Sequence, residues 1–219
     1  IYELLYERPT CKYTEANGKK KEQNVLILGN GWAGNEAFKG IFWAGQALNS
    51  ELNITVASQN ALEYKTQVLS NESDALLPAL KMYIEQKHYA NLRFININVK
   101  EGVDESGLAP LDFFNNKYNY IVVSLGEAEH NWLAATELIT QISNAQKNGT
   151  QYTGKIIINV FNEFSDSVNS DDCEALVEYG TDNGIEVHFF GGESAVSNEL
   201  NRIAHNINFS YEMKYNQRI

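Results

Sequence analysis

The sharpest change in hydrophobic pattern falls between Asn24 and Gly34, where N-V-L-I-L-G-N-G-W-A-G runs from four large aliphatics into glycines at 29, 31 and 34. A short unbroken apolar run marks a strand buried on both faces. The segment beyond the glycines has the spacing of an amphipathic helix over about 34–48, with Ala37, Phe38, Ile41, Phe42 and Leu48 on one side. Further apolar runs predict strands at 53–58, 92–99, 118–125, 155–161 and 185–190. Helices are predicted over 74–86, from about 131 to 147, over 171–181 and over 198–214, the last presenting Leu200, Ile203, Ala204, Ile207 and Tyr211 on one side. The 118–125 run is nearly all apolar and belongs at the centre of a sheet. Residues 1–23 are polar and tyrosine-rich, and read as an N-terminal arm or hairpin outside the sheet core.

Six strands alternating with helices predict an α/β fold over 24–219, a doubly wound, mostly parallel six-stranded Rossmann-type sheet in the order 3-2-1-4-5-6 with helices on both faces. In the glycine turn, Gly29 permits the tight turn, Gly31 lets a pyrophosphate approach the backbone, and Gly34 lets the helix pack on the strand. Helical N–H groups are then left facing a phosphate. The ligand crevice of such a sheet lies at the carboxyl ends of the first and fourth strands, which brings Gly29–Asn35 and Leu125–Asn131 to one site.

Charge and composition narrow the partners. A formal charge of −11 with no Lys/Arg stripe repels a nucleic-acid backbone, so no nucleic acid is expected. The longest apolar candidate, 37–48, is broken by Lys39, Gly40, Gly45 and Gln46, so no membrane insertion is expected. Cys11 and Cys173 lack redox or metal spacing and read as free thiols of a reducing, cytoplasmic compartment. Asn-x-Ser/Thr triplets at Asn53, Asn71, Asn148 and Asn208 are attributed to the Asn-rich composition. The start at Ile1 suggests a piece of a longer protein.

V-L-I-L-G-N-G-W-A-G near the start and Y-I-V-V-S-L-G-E-A-E-H-N after the fourth strand resemble the NAD-binding domains of bacterial potassium-transport regulators of the Trk and conductance-regulator type. The likeness covers roughly residues 24–145. It implies that Gly29, Asn30, Gly31, Trp32, Ala33 and Gly34 bind the diphosphate of NAD or NADH. Ser124, Leu125 and Gly126 then border the nucleotide, and Asn131 starts the next helix close to the site. Asn35 and Ser58 are assigned to the phosphate and ribose ends. One departure stands out: where the fingerprint carries an acid for the ribose hydroxyls, this chain reads Ser58-Gln59-Asn60. Those side chains can hydrogen-bond a ribose without the charge-assisted contact, which leaves another adenine nucleotide or an empty site open.

Catalytic groups are sparse. Tyr83 and Lys87 have the Tyr-x-x-x-Lys spacing of short-chain dehydrogenases but precede the third strand, whereas that family places the pair after the fifth. His130 follows the fourth strand where a hydride-transfer enzyme could place an acid or base, or is simply an exposed helix-start residue. His88, His188 and His205 are dispersed, and the acids around 165–174 read as a solvated loop without a calcium pattern. Gly191 and Gly192 read equally as phosphate donors or a plain turn. Trp32 either covers a ligand, meets another subunit or packs locally. Gly40 and Gly45, with the Phe42-Trp43 pair, suggest a partner helix from a second copy or another domain.

The expected function is a regulatory or sensory domain that binds an adenine dinucleotide and passes its occupancy to other domains of the chain or to a homodimer partner. The alternatives are an NAD(P)-dependent oxidoreductase with its substrate domain elsewhere, and an interaction scaffold with a vestigial pocket.

Overall fold

A computed structural model describes residues 2–17, 20–45, 47, 49–69, 90–98, 105–162, 168 and 170–191. Its centre is a sheet containing β1 (Glu15–Asn17), β2 (Lys20–Leu28), β3 (Ser50–Ser58), β4 (Asn91–Asn96), β5 (Tyr120–Val123), β6 (Ile156–Phe161) and β7 (Ile185–Phe190). The strand order is β4-β3-β2-β5-β6-β7, with every neighbouring pair parallel. Counted from β2, this is the 3-2-1-4-5-6 order that the sequence predicts, and the protein is a doubly wound α/β domain of Rossmann-like form.

Alternation of side chains along β2 explains its composition. Leu26 and Leu28 enter one core while Val25 and Ile27 enter the other, and all four are completely buried. On one side lie α1 (Tyr2–Glu7), α2 (Trp32–Ala44) and α3 (Ala61–Leu69), which contribute Leu4 and Leu5, Phe38 and Ile41, and Tyr64. On the other, α4 (Ala128–Lys147) and α5 (Ser170–Asp182) contribute Leu138, Ile142 and Leu176. Full burial of each such large apolar side chain favours folding by about 1.5–3 kcal/mol.

Three expectations need correction. Residues 1–23 do not stay outside the sheet. β1 pairs antiparallel with the start of β2, and Leu4, Leu5, Tyr13, Glu15 and Gln23 are buried. A polar segment becomes internal here because its polar groups are paired: Gln23 accepts from Thr10 Oγ1 at 2.6 Å and donates to the Gly45 carbonyl at 2.8 Å. The first Rossmann helix starts at Trp32 and stops at Ala44, because Gly45 caps it by donating to the Ile41 carbonyl and lies where a Cβ would meet Leu52. Helix α3 is absent from the sequence expectation, although Ala61 and Tyr64 are buried at helical spacing and Val68 packs partly buried beside them. The predicted helices at 74–86 and 198–214, with Tyr83, Lys87, His88 and His205, lie outside the described residues.

Candidate functional site

The carboxyl edge of the sheet opens into a crevice of about 330 Å³ between the ends of β2, β3 and β5. Gly29, Asn30 and Gly31 form one wall, Ser58, Gln59 and Asn60 the second, and Ser124, Leu125, Gly126 and His130 the third. Eight of the thirteen site residues expected from sequence therefore meet here. The volume falls within the usual range of small-molecule pockets.

Each glycine of the turn meets a different constraint. Gly29 has φ +102°, and a Cβ there would stand 2.2 Å from the Ser124 carbonyl oxygen. The turn is thus compressed between β2 and β5, and only glycine fits. At Gly34 a Cβ would lie 2.2 Å from the Gly29 carbonyl oxygen, so the helix presses directly on the turn. Gly31 is the opposite case, since a Cβ there would meet nothing within 4 Å. It is the N-cap of α2 and brings no side chain of its own to cap that end, and the first turn holds no acidic residue. An uncapped helix start beside open space is a favourable place for an anion.

The remaining residues have more particular positions. Asn30 Nδ2 donates to Asn60 Oδ1 at 2.9 Å, which links the β2 and β3 sides of the mouth. Ser58 Oγ is buried and points to the same Asn60 oxygen at 3.4 Å. Gln59 stays exposed. On the β5 side, Ser124 is buried against the Leu28 carbonyl. His130 Nδ1 lies 3.7 Å from Glu127 Oε2 on the exposed first turn of α4.

Five expected residues do not line the crevice. Ala33 is core, and Gly34 is buried under the turn. Asn35 turns toward α3, where its Oδ1 accepts from the Tyr64 hydroxyl at 2.7 Å. Sequence reasoning missed Tyr64 because it missed the helix that carries it. Asn131 is completely buried, accepting from the Leu125 N–H at 2.6 Å and donating to the Phe161 carbonyl at 2.7 Å. It lies close to the crevice, as expected, but is the fourth residue of α4 and shapes the rim between β5 and β6 from within. Trp32 is 74% exposed, with its ring tilted toward Phe161 at 6.5 Å.

A larger cavity of about 540 Å³ lies at the opposite, amino-terminal edge. Its floor is an amide ladder in which Asn91 donates to Asn53 and Asn53 to Asn24, each at 2.8 Å. Size alone favours that cavity. The carboxyl edge is the stronger site because it combines open space, an uncapped helix start and the change of direction in strand order. Among the described residues, no group of three His, Cys, Asp or Glu side chains could hold a metal, and no helix is long and apolar enough to cross a membrane.

Comparison of the chain with protein-family models, curated proteins and solved structures returned no match. The class established by the fold is therefore the Rossmann-like doubly wound α/β domain, and a function has to be argued from the crevice.

Proposed function

We propose that this protein is a regulatory or sensory domain that binds an adenine dinucleotide, NAD or NADH, at the carboxyl edge of β2, β3 and β5. One observation carries the reading. Gly29 and Gly34 have no room for a side chain, whereas the space around Gly31, at the uncapped start of α2, is open. A diphosphate resting there would receive backbone N–H groups and the positive end of the helix. Its adenosine ribose would extend to Ser58, Gln59 and Asn60, and its other half to Leu125 and Gly126.

The resemblance of the glycine turn and of the segment after β5 to those of potassium-transport regulators supports the regulatory part of this reading. Signalling would arise from a difference in affinity between two arrangements of the domain and its neighbours, whether another domain or a second copy. Without an acid at the end of β3, ribose recognition relies on neutral hydrogen bonds, so modest affinity is expected.

His130 on the crevice rim favours one second reading, an oxidoreductase whose substrate-binding part lies elsewhere in the assembly. The deciding experiment is calorimetry with thermal shift against NAD, NADH, NADP, NADPH, ATP, ADP and AMP. Saturable stabilisation by a dinucleotide is expected, and it should be lost in Gly31→Val. Stabilisation by none would leave an interaction scaffold with a vestigial pocket. Hydride transfer that disappears in His130→Ala would favour the enzyme.

A further inference from the structure

Trp32 opens α2 directly after Gly31, yet its ring is 74% exposed. An exposed tryptophan beside an open phosphate site gains little from the fold itself. Its ring contact with Phe161 is directional: Phe161, at the end of β6, lies 6.5 Å away at an angle of 59°, and Phe161 in turn lies 5.5 Å from Phe190. Gly191 backs this column closely, since a Cβ there would stand 2.4 Å from the Phe161 ring. Asn131 holds the Phe161 carbonyl. The tryptophan therefore leans on a fixed aromatic support.

Its position sets what it can meet. Ser58 ends β3 on one side of β2 and Gln59 follows it, whereas Phe161 ends β6 on the other side, beyond β5. A dinucleotide whose diphosphate sits at Gly31 and whose adenosine reaches Ser58 must send its other half toward β5 and β6. Trp32 lies outside the crevice lining, but it follows Gly31 directly and its ring tilts toward Phe161, on the β6 side. No lysine or arginine lines the crevice among the described residues, and Glu127 and Glu129 begin the neighbouring helix α4.

We infer that Trp32 is a redox-discriminating element of the site, whose indole face receives the pyridine ring of the dinucleotide and favours the positively charged oxidised ring over the neutral reduced one. This inference rests on the dinucleotide reading above and adds to it which redox form is sensed. The physical basis is attraction of a cation to the negative face of the indole, reinforced by the acidic start of α4. At an exposed site this attraction corresponds to about a two- to fivefold preference for NAD+ over NADH.

The test is calorimetry on the full chain, wild type and with Trp32→Ala or Trp32→Phe, against NAD+, NADH and ADP. The wild type should bind NAD+ about two- to fivefold more tightly than NADH. Trp32→Ala should abolish that preference, Trp32→Phe should retain part of it, and ADP, which lacks the pyridine ring, should bind all three proteins alike. Dinucleotide binding with the same NAD+/NADH ratio in Trp32→Ala overturns this inference and leaves the proposed function standing, as does an equal loss for ADP. A wild-type protein that binds no nucleotide overturns the proposed function, and this inference with it. An unchanged melting temperature of the variants shows that the comparison is made between folded proteins.

Discussion

The side-chain amide of Asn119 donates to the carboxylate of Glu15 at 2.7 Å, and both residues are buried, with Glu15 only 3% exposed. The same carboxylate accepts from the Thr153 backbone N–H at 2.9 Å, the Thr153 hydroxyl at 2.8 Å and the Gly154 N–H at 3.2 Å. One acid thus fastens β1 to the chain entering both β5 and β6. Gly154 permits this approach, because a Cβ there would stand 2.0 Å from the Thr14 carbonyl oxygen.

Burial alone pushes the Glu15 carboxyl up, but the donors from Thr153, Asn119 and Gly154 outweigh it and hold it below its ordinary value. A folded-state value below the unfolded one means that the unfolded chain takes up the proton first. The stabilisation is therefore complete above the ordinary carboxylate range and is lost as pH falls through the folded value. Glu15→Ala should cost about 3 kcal/mol at neutral pH, because it strands several buried donors. Urea unfolding at neutral and acidic pH should show a smaller acid-induced loss in Glu15→Gln than in the wild type. Equal losses in the two proteins would mean that Glu15 carries no part of the acid response.

The glycine turn predicts an ordered set of effects. Gly29→Ala forces a side chain into a left-handed backbone and against the Ser124 carbonyl, and Gly34→Ala drives one into the Gly29 carbonyl. Each should destabilise the protein by about 2 kcal/mol or more. Gly31→Ala meets only open space and should change stability by less than about 0.5 kcal/mol. Chemical denaturation of the three variants checks this directly, and a Gly31→Ala penalty matching the other two would contradict the geometry.

The sheet is legible in the chain because Val25–Leu28 of β2, all of β5 and most of β6 are consecutive apolar positions, Asn159 being the polar exception in β6, and a strand covered on both faces needs apolar side chains at consecutive positions. The glycine turn is legible for the same local reason: its three constraints sit within a few residues of one another. Glu15 is not. Its burial depends on donors from residues 119, 153 and 154, brought close only by the completed sheet, and a lone glutamate in a polar segment looks like any solvated acid. Asn131 is ambiguous in a similar way. Its position in the chain places it near the crevice, but both ends of its amide are taken by backbone groups of Leu125 and Phe161. Helix α3 escapes notice because Ala61, Tyr64 and Val68 are separated by polar residues in a short stretch.

His188 adds a second acid sensitivity. It is half-buried on β7, and burial, followed by the neighbouring Arg8 charge, lowers its affinity for a proton below the ordinary 6.5, against the weaker opposing pull of Glu7 and Glu186. The unfolded chain therefore protonates this imidazole more readily than the folded one. Stability should be full above about pH 6.5 and should decline as pH falls below it. His188→Gln should flatten the stability curve between its unfolded and folded titration ranges. Nuclear magnetic resonance titration of the ring checks the premise, and a midpoint above 6.5 in the folded protein would reverse the predicted sign.

Asn131 offers the clearest separation between shaping a site and touching a ligand. Its amide oxygen takes the Leu125 N–H and its amide nitrogen serves the Phe161 carbonyl, so one side chain sets the spacing of the β5 and β6 ends. Asn131→Leu removes both bonds and leaves a buried donor and acceptor unpaired, at a cost of about 3 kcal/mol. Asn131→Asp keeps an acceptor for Leu125 but turns a carboxylate toward the Phe161 carbonyl, and should be at least as damaging. In both variants the Leu125 amide should exchange with solvent faster than in the wild type while amides at the centre of β2 remain the slowest. If both retained wild-type stability and an unchanged Leu125 exchange rate, the rim would be held by something other than this amide, and Asn131 would return to the candidates for direct contact with a ligand.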